Sequence, residues 1–456
     1  MFMVKSRILA TVGICCLLTT SAWANHAKLK NQVPLPFFVS DENPLSTLTI
    51  TGVSVNMVQG FPTFHNGEEK VKGSVQYSNK DALFLGMHLW KGATVVFNPE
   101  MYYGYNPSNN IGVASSVNVA TARVESKSPY LQVQRLFLQQ VIDLGGNKTK
   151  VNNQGGRSQA LEALTNQINE ETTDHNLTLT IGKFGVGDIF DDNIYSHDPT
   201  RHFMNTSFNG MENIDYAGNA WGTTFGAAAE WQKDWWTLRA GIFQGSDLPP
   251  SLNLEPVALK SYMLIGEAEA RYNIFEQPGN IKLLGYQDHG YINMIGEYNG
   301  SASVYDALPF FAKERMQRHT KLGIGINLQQ QITDGVGMFI RAGMDNKTYD
   351  FNDITQGING GFVFFGKLWG RELDEIGIAA GYNSMTGGKS YKNGMFTQIG
   401  AGAFKFAPES VFETYYKFVP WKGMEITADY QFVQNPNFLK NSDTAHVFGI
   451  RLRASF

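Results

Sequence analysis

The stretch that decides the fold is Val447-Phe448-Gly449-Ile450-Arg451-Leu452-Arg453-Ala454-Ser455-Phe456. Phe448, Ile450, Leu452, Ala454 and Phe456 fall on one side of an extended chain, and Val447, Gly449, Arg451, Arg453 and Ser455 on the other. A period of two marks a strand with one apolar and one largely polar face. A terminal aromatic on such a strand is the mark that the assembly machinery of bacterial outer-membrane barrels reads. Phe456 is therefore expected to be an assembly signal, and that machinery a partner.

The same alternation recurs upstream. Leu177, Leu179 and Ile181 oppose Thr178 and Thr180; Trp236, Leu238, Ala240 and Ile242 oppose Thr237, Arg239 and Gly241. Phe225 to Trp231, Leu322 to Leu328, Val336 to Ala342 and Met424 to Tyr430 repeat it, with charges on one face only. Apolar-out, polar-in dyads in ~10-residue segments are the signature of transmembrane barrels. Tight turns are expected after Trp90 (91–92), Trp231 (232–234), Ile332 (333–335), Trp369 (370–374) and Trp421 (422–423), with a longer one over 276–280. A long connection spans 143–175. Seven short-side connections imply eight hairpins. The expected fold is all-β: a transmembrane antiparallel β-barrel of about 16 strands with long external loops and a short periplasmic helix. Trp90, Trp231, Trp235, Trp236, Trp369 and Trp421 all flank tight turns, as an aromatic girdle at the periplasmic interface requires.

Composition agrees. Of 456 residues, 17% are charged, Gly numbers 47 and the net charge is −4. That balance excludes a basic stripe for nucleic acid. No run after the N-terminus approaches the ~20 apolar residues of a spanning helix. Residues 1–24 read as a signal peptide: Lys5 and Arg7, an apolar run Ile8–Leu18, then Ala22-Trp23-Ala24 before the cut. Its removal takes both cysteines, Cys15 and Cys16, and leaves 35 basic against 41 acidic residues. Residues 25–46, rich in proline, read as a periplasmic lead-in, and 47–456 as the barrel. Within it, 143–175 is a periplasmic insertion, with Leu161, Leu164 and Ile168 at helical spacing over 158–171.

The third external loop, 185–222, carries Asp188, Asp191, Asp192, Asn193, Tyr195, His197, Asp198, Arg201 and His202. It is expected to fold inward as a constriction. Acidic clusters of this kind suit calcium, turn capping or arginine pairing, but no EF-hand spacing exists. His197 and His202 lack a third zinc ligand. Gly182, Gly185 and Gly187 do not open a helix as a nucleotide loop would.

The pattern Asp188-x-Phe190-Asp191-x-Asn193-x-Tyr195 with Asp198-Pro199, Phe203 and Asn205 resembles the carbohydrate-selective porin (OprB) family. The resemblance continues through Asp215-Tyr216-Ala217, Gly226-Ala227-Ala228, Glu230-Trp231 and Leu238-Arg239-Ala240-Gly241. It implies a sixteen-stranded outer-membrane channel for sugars such as glucose, and a long connection with a helix.

Strand parity supplies the expected lumen charges. The acids are Glu230, Glu267, Glu269, Asp345, Glu413, Glu425 and Asp429. The bases are Arg239, Arg271, Lys321, Arg341, Lys367, Lys417, Arg451 and Arg453. Both signs occur in similar number, which suits a neutral hydroxyl-rich solute; an anion-selective pore needs a ring of one sign. The expected path is Asp188, Asp191, Asp192, Asn193, Tyr195, Asp198 and Arg201 on the loop. On the wall it is Glu230, Arg239, Glu267, Glu269, Arg271, Arg341, Asp429, Arg451 and Arg453. Phe190 or Tyr195 would stack on a sugar's C–H face. Passage is passive, binding is weak, and no cofactor or metal is called for. The partners are sugars or polyols and outer-membrane lipid; a homo-oligomer stays open. The alternative is a channel for polyhydroxy acids such as quinate, held by Arg239, Arg341, Arg451 and Arg453. A barrel lipase would need an activated nucleophile, and no Gly-x-Ser-x-Gly appears.

Overall fold

Strand parity closes the chain on itself. In the computed structural model the described residues are 48–66, 69–107, 111, 117–121, 125–149, 172–219, 221–247, 253–291, 318–346, 354–385 and 406–456. The signal peptide, the lead-in and the 158–171 helix lie outside them. Sixteen antiparallel strands form one closed barrel. They are β1 (Leu48–Phe61), β2 (Ser74–Trp90), β3 (Ala93–Tyr105), β4 (Glu125–Asp143), β5 (His175–Phe184) and β6 (Thr224–Lys233). Then come β7 (Trp236–Gln244), β8 (Tyr262–Ile274), β9 (Gln277–Tyr291), β10 (Arg318–Thr333) and β11 (Val336–Asp345). The last are β12 (Gln356–Phe365), β13 (Glu375–Ser384), β14 (Glu409–Trp421), β15 (Met424–Gln434) and β16 (Ala445–Ser455). No strand edge is left to face lipid, the condition a bilayer imposes on a sheet.

Closure joins β1 to β16, with Val53 opposite Ser455 and Gly60 opposite Phe448. The seam is clamped at its base: the Gly52 N–H donates to the Phe456 carbonyl at 3.1 Å, and the Phe456 N–H donates back at 3.0 Å. A side chain at Gly52 would run into the Phe456 ring. That close approach is why glycine stands there.

Alternation sorts the wall. Leu179, Ile181, Phe225, Leu238, Leu322, Ile324, Phe448 and Ile450 are exposed outward, while Thr178, Thr180, Glu230, Lys321, Arg341 and Arg451 are buried inside. The turns are tighter than the sequence reading placed them. Asp234-Trp235 and Phe275-Glu276 each join two strands, with positive φ at Asp234 (48°), Phe275 (50°) and Glu276 (65°). Left-handed central residues suit the twist of a two-residue hairpin, so Lys233 and Gln277 stay in the ladder. Pro278 pairs with Asn273 inside β9, and pairing with β10 begins only at Gly279. Proline there forfeits no ladder bond. The β12–β13 connection starts earlier than expected, in a short 3₁₀ turn Gly366–Trp369.

Indoles cluster at this turn side. Trp90, Trp231, Trp235 and Trp421 are exposed. Trp90 donates to the Gln140 carboxamide at 2.7 Å, and Trp231 packs edge-on against Trp236. The 143–175 connection is rooted by a two-stranded ladder, Lys148–Thr149 with Thr172–Thr173.

Candidate functional site: a loop held across the lumen

The third loop fills the barrel rather than hanging from its rim. Its aromatic side chains form two cores with the wall. Phe190 packs edge-on against Phe243; Phe203 packs against Phe208, Phe339 and Tyr415. Tyr195 lies flat over Gly337, where any side chain would collide with the ring. Phe190 and Tyr195 are therefore buried at 0% and 4% exposure, and neither offers a free face to a sugar as the sequence reading expected.

Polar ties fix the loop from β4 round to β16. Arg135 grips Asp188 with two bonds of 2.7 Å. Asp191, at φ 56°, accepts from Arg341 Nε (3.1 Å), Asn327 Nδ2 (2.7 Å), the Met211 N–H (2.7 Å) and the Tyr216 hydroxyl (2.7 Å). Its own N–H donates to Glu267 at 2.8 Å. Arg341 also donates to the Ser196 hydroxyl and carbonyl, both at 2.6 Å. Lys321 pairs with Asp215 at 2.9 Å and Asp345 at 3.2 Å. Glu413 accepts from the Met204 and Asn205 N–H groups, and Arg451 donates to the Pro199 and His202 carbonyls, each at 2.8 Å. Asn193 bonds Asn327 at 2.8 Å, and Lys282 reaches the Asp192 carbonyl. Asp429 accepts from Gln431 at 2.9 Å, beside Glu413. Buried charges are held this way only when paired and hydrogen-bonded.

Burial within the loop moves its titrations. Burial pushes Asp198 up, but Arg453, the Thr200 hydroxyl and Arg201 outweigh it and hold the carboxyl at about 2. Burial lowers His202 to about 4 and raises Glu212 to about 8. At neutral pH the loop thus carries a charged Asp198, a neutral His202 and a largely protonated Glu212.

Some ion pairs keep part of their cation exposed. Arg201 is 38% exposed beside Glu425 (3.5 Å), itself 8% exposed. Arg271 is 24% exposed over Glu269 (3.2 Å), and Lys80 is 20% exposed over Glu100 (3.1 Å). Arg135 covers Glu100 and Asp188; Arg239 covers Glu230 (2.9 Å), Glu267 (2.7 Å) and Glu269 (2.7 Å). Arg453 pairs with Glu425 at 2.9 Å. In the Arg201, Arg271 and Lys80 pairs the cation is the more exposed partner and the carboxylate is buried.

The sequence reading overlooked Lys80, Glu100, Arg135 and Lys282. Lys282 was legible, since it alternates with Ile281 and Leu283. Arg135 was hidden by a bulge opposite Asn98 and Pro99, which shifts parity along β4. A second inward segment was also overlooked. Val119 donates to the Met204 carbonyl at 2.9 Å, and Asn118 bonds Gln59 at 2.9 Å. Among the described residues no group of three or more His, Cys, Asp or Glu is placed to hold a metal.

A closed antiparallel barrel with an apolar outside, an ionic inside and a loop folded across it is the architecture of an outer-membrane channel. Residues 86–456 match the family described as carbohydrate-selective porin, OprB family. The chain belongs to that family, and it is a sugar porin of the outer membrane. Among solved structures it is similar to OprB of Pseudomonas putida in the high-pH form: TM-score 0.66 and 18% identity over 90% of this chain and 94% of that one. The low-pH form of the same protein gives a TM-score of 0.51 and 14% identity over 96% and 97%. The outer-membrane channel DcaP of Acinetobacter baumannii gives 0.50 and 9% over 92% and 100%. No curated protein matches the chain significantly in sequence.

Proposed function

We propose that this porin recognises sugars through a donor-rich lumen whose charge is cancelled from behind. The observation that carries the reading is the layering of the ion pairs: Arg201, Arg271 and Lys80 are the more exposed partners, each over a buried carboxylate, while Arg135 and Arg239 are largely buried among theirs. Guanidinium donors bind hydroxyl oxygens more strongly than neutral donors do. The carboxylates remove the net field that would concentrate an anion. The buried residues of the expected path, with Asp191, Arg341 and Arg451 foremost, are positioning residues in this reading. They hold the loop and thereby set the width of the passage. Asp192, Asn193, Asp198 and Asp429 belong with them. Arg453 supports Arg201 through Glu425, and Glu230 and Glu267 neutralise Arg239. Passage remains passive, with binding weak enough for release. Phe456 serves as the assembly mark, and the Trp-lined turn side sits in the periplasmic interface of the lipid.

The test removes the two most exposed of these cations, Arg201→Ala with Arg271→Ala. Losing a charge-assisted bond is expected to raise the glucose concentration that half-blocks single-channel current by about tenfold. Unaltered block in this double variant would contradict the assignment.

A further inference from the structure

Glycines on three neighbouring strands clear a shelf on the inner wall beneath the third loop. Gly343 of β11 stands opposite Gly357 of β12, which stands opposite Asn383 of β13; two residues along, Asn359 stands opposite Gly381. The loop fills the space that the missing side chains leave. A Cβ at Gly357 would stand 3.3 Å from the Glu212 Cβ and 3.1 Å from Asn383 Oδ1. One at Gly381 would stand 3.5 Å from the Cβ atoms of Asn359 and Ser207, and one at Gly343 would collide with the Asn213 carboxamide oxygen. Glycine permits this close approach of loop to wall.

The groups gathered on the shelf are acceptors short of donors. Glu212, Asn213, Asn359 and Asn383 are 7%, 1%, 4% and 1% exposed. Each has a buried side-chain oxygen without a hydrogen-bond partner: Glu212 Oε1 and the three Asn Oδ1 atoms. The amide donors are already engaged. Asn383 Nδ2 donates to the Ser207 hydroxyl at 3.0 Å, Asn359 Nδ2 to the Gly210 carbonyl at 3.2 Å and Asn213 Nδ2 to the Tyr286 hydroxyl at 3.4 Å. The Ser207 hydroxyl is itself bonded to Glu212. Nearby cations are committed elsewhere: Arg341, opposite Asn359, to Asp191 and Ser196, and Lys321 to Asp215 and Asp345.

Buried oxygens without donors are costly, and a carboxylate among them more so. A water molecule can donate to two of them but brings no charge to Glu212. A cation does. Calcium takes about six to eight oxygens and mixes carboxylates, Asn carbonyls, backbone carbonyls and water, whereas magnesium demands a strict octahedron and keeps its own waters. One carboxylate with three amide oxygens is such a mixed set. It is not a cluster of acids, so counting Asp and Glu does not reveal it. The Glu212 carboxyl, which burial leaves largely protonated, gives up its proton when the ion enters.

We propose that Glu212, Asn213, Asn359 and Asn383 form a calcium site in which the ion pins the third loop to β12 and β13. The test is calorimetric titration of calcium chloride into the whole porin, purified free of lipopolysaccharide, with heat-modifiable mobility as the folding control. Wild type is expected to take up a single ion per barrel with a Kd on the order of 10⁻⁴–10⁻³ M, as a site with few charged ligands does. Glu212→Gln keeps the shape and is expected to weaken binding at least ~tenfold. Asn383→Asp adds a second carboxylate and is expected to tighten binding about tenfold, a gain that a merely structural role would not give. Magnesium is expected to bind at least ~tenfold more weakly than calcium. A wild type that takes up no calcium at about 10 mM, well above the expected Kd, overturns the proposal. So does a folded Glu212→Gln barrel that binds calcium like wild type, or a folded Asn383→Asp barrel that binds it no more tightly. If Glu212→Gln yields no folded barrel, Asn383→Asp decides alone.

Discussion

Arg341→Met is expected to widen the channel several-fold in single-channel conductance while the barrel still folds. Arg341 has no exposed surface and makes bonds to Asp191, Ser196 and the Phe208 carbonyl. Methionine fills much of the volume but leaves Asp191 without its cation. Breaking a buried pair from one side costs about 3–5 kcal/mol, and no strand-to-strand bond depends on it. The cost therefore falls on the docked state of the loop. Planar-bilayer recordings, with heat-modifiable mobility as the folding control, check this. An unchanged conductance would mean that the aromatic contacts of Phe190 and Phe203 hold the loop without the ion pair.

Glu267→Gln combined with Glu269→Gln is the second large effect, and it acts on charge rather than width. The pair neutralises Arg239 at 2.7 Å on each side, and Glu269 also contacts Arg271. Gln keeps the shape and some of the hydrogen bonds. It leaves Arg239 facing Glu230 alone and Arg271 facing the lumen uncompensated. Clefts lined by one sign concentrate counter-ions, so the reversal potential in a KCl gradient should move clearly toward that of chloride. Quinate should begin to block where it did not before. A reversal potential like that of the wild type would show that the cancelled charges do not set selectivity.

How much of this could be read in the chain follows from what periodicity encodes. The outward and inward residues of β5–β7, β10, β11, β15 and β16 follow from alternation alone, because a pleated strand in lipid admits little else. β2 was opaque for a physical reason. Ser78-Asn79-Lys80-Asp81 is polar on both faces, and a reader expecting one apolar face finds no dyad there. Turn positions slipped because Asp234, Phe275 and Glu276 take left-handed backbone without glycine. Within the loop, the residue types pointed to an inward ionic segment but not to its bonds. Asp191 and Arg341 are 150 positions apart, and no local pattern relates them. The separation of buried carboxylates from exposed cations is likewise a property of the folded wall. Residue counts, which show only similar numbers of each sign, do not contain it.

The most direct test of the central claim, that cancelled charges over a narrow passage select neutral sugars, is a titration of single-channel current through the purified protein. Glucose is added first, then quinate, to the same channel. The account predicts graded, reversible block by glucose and none by quinate at equal concentration. Block by quinate alone would contradict it, and the absence of any conductance would contradict the channel itself.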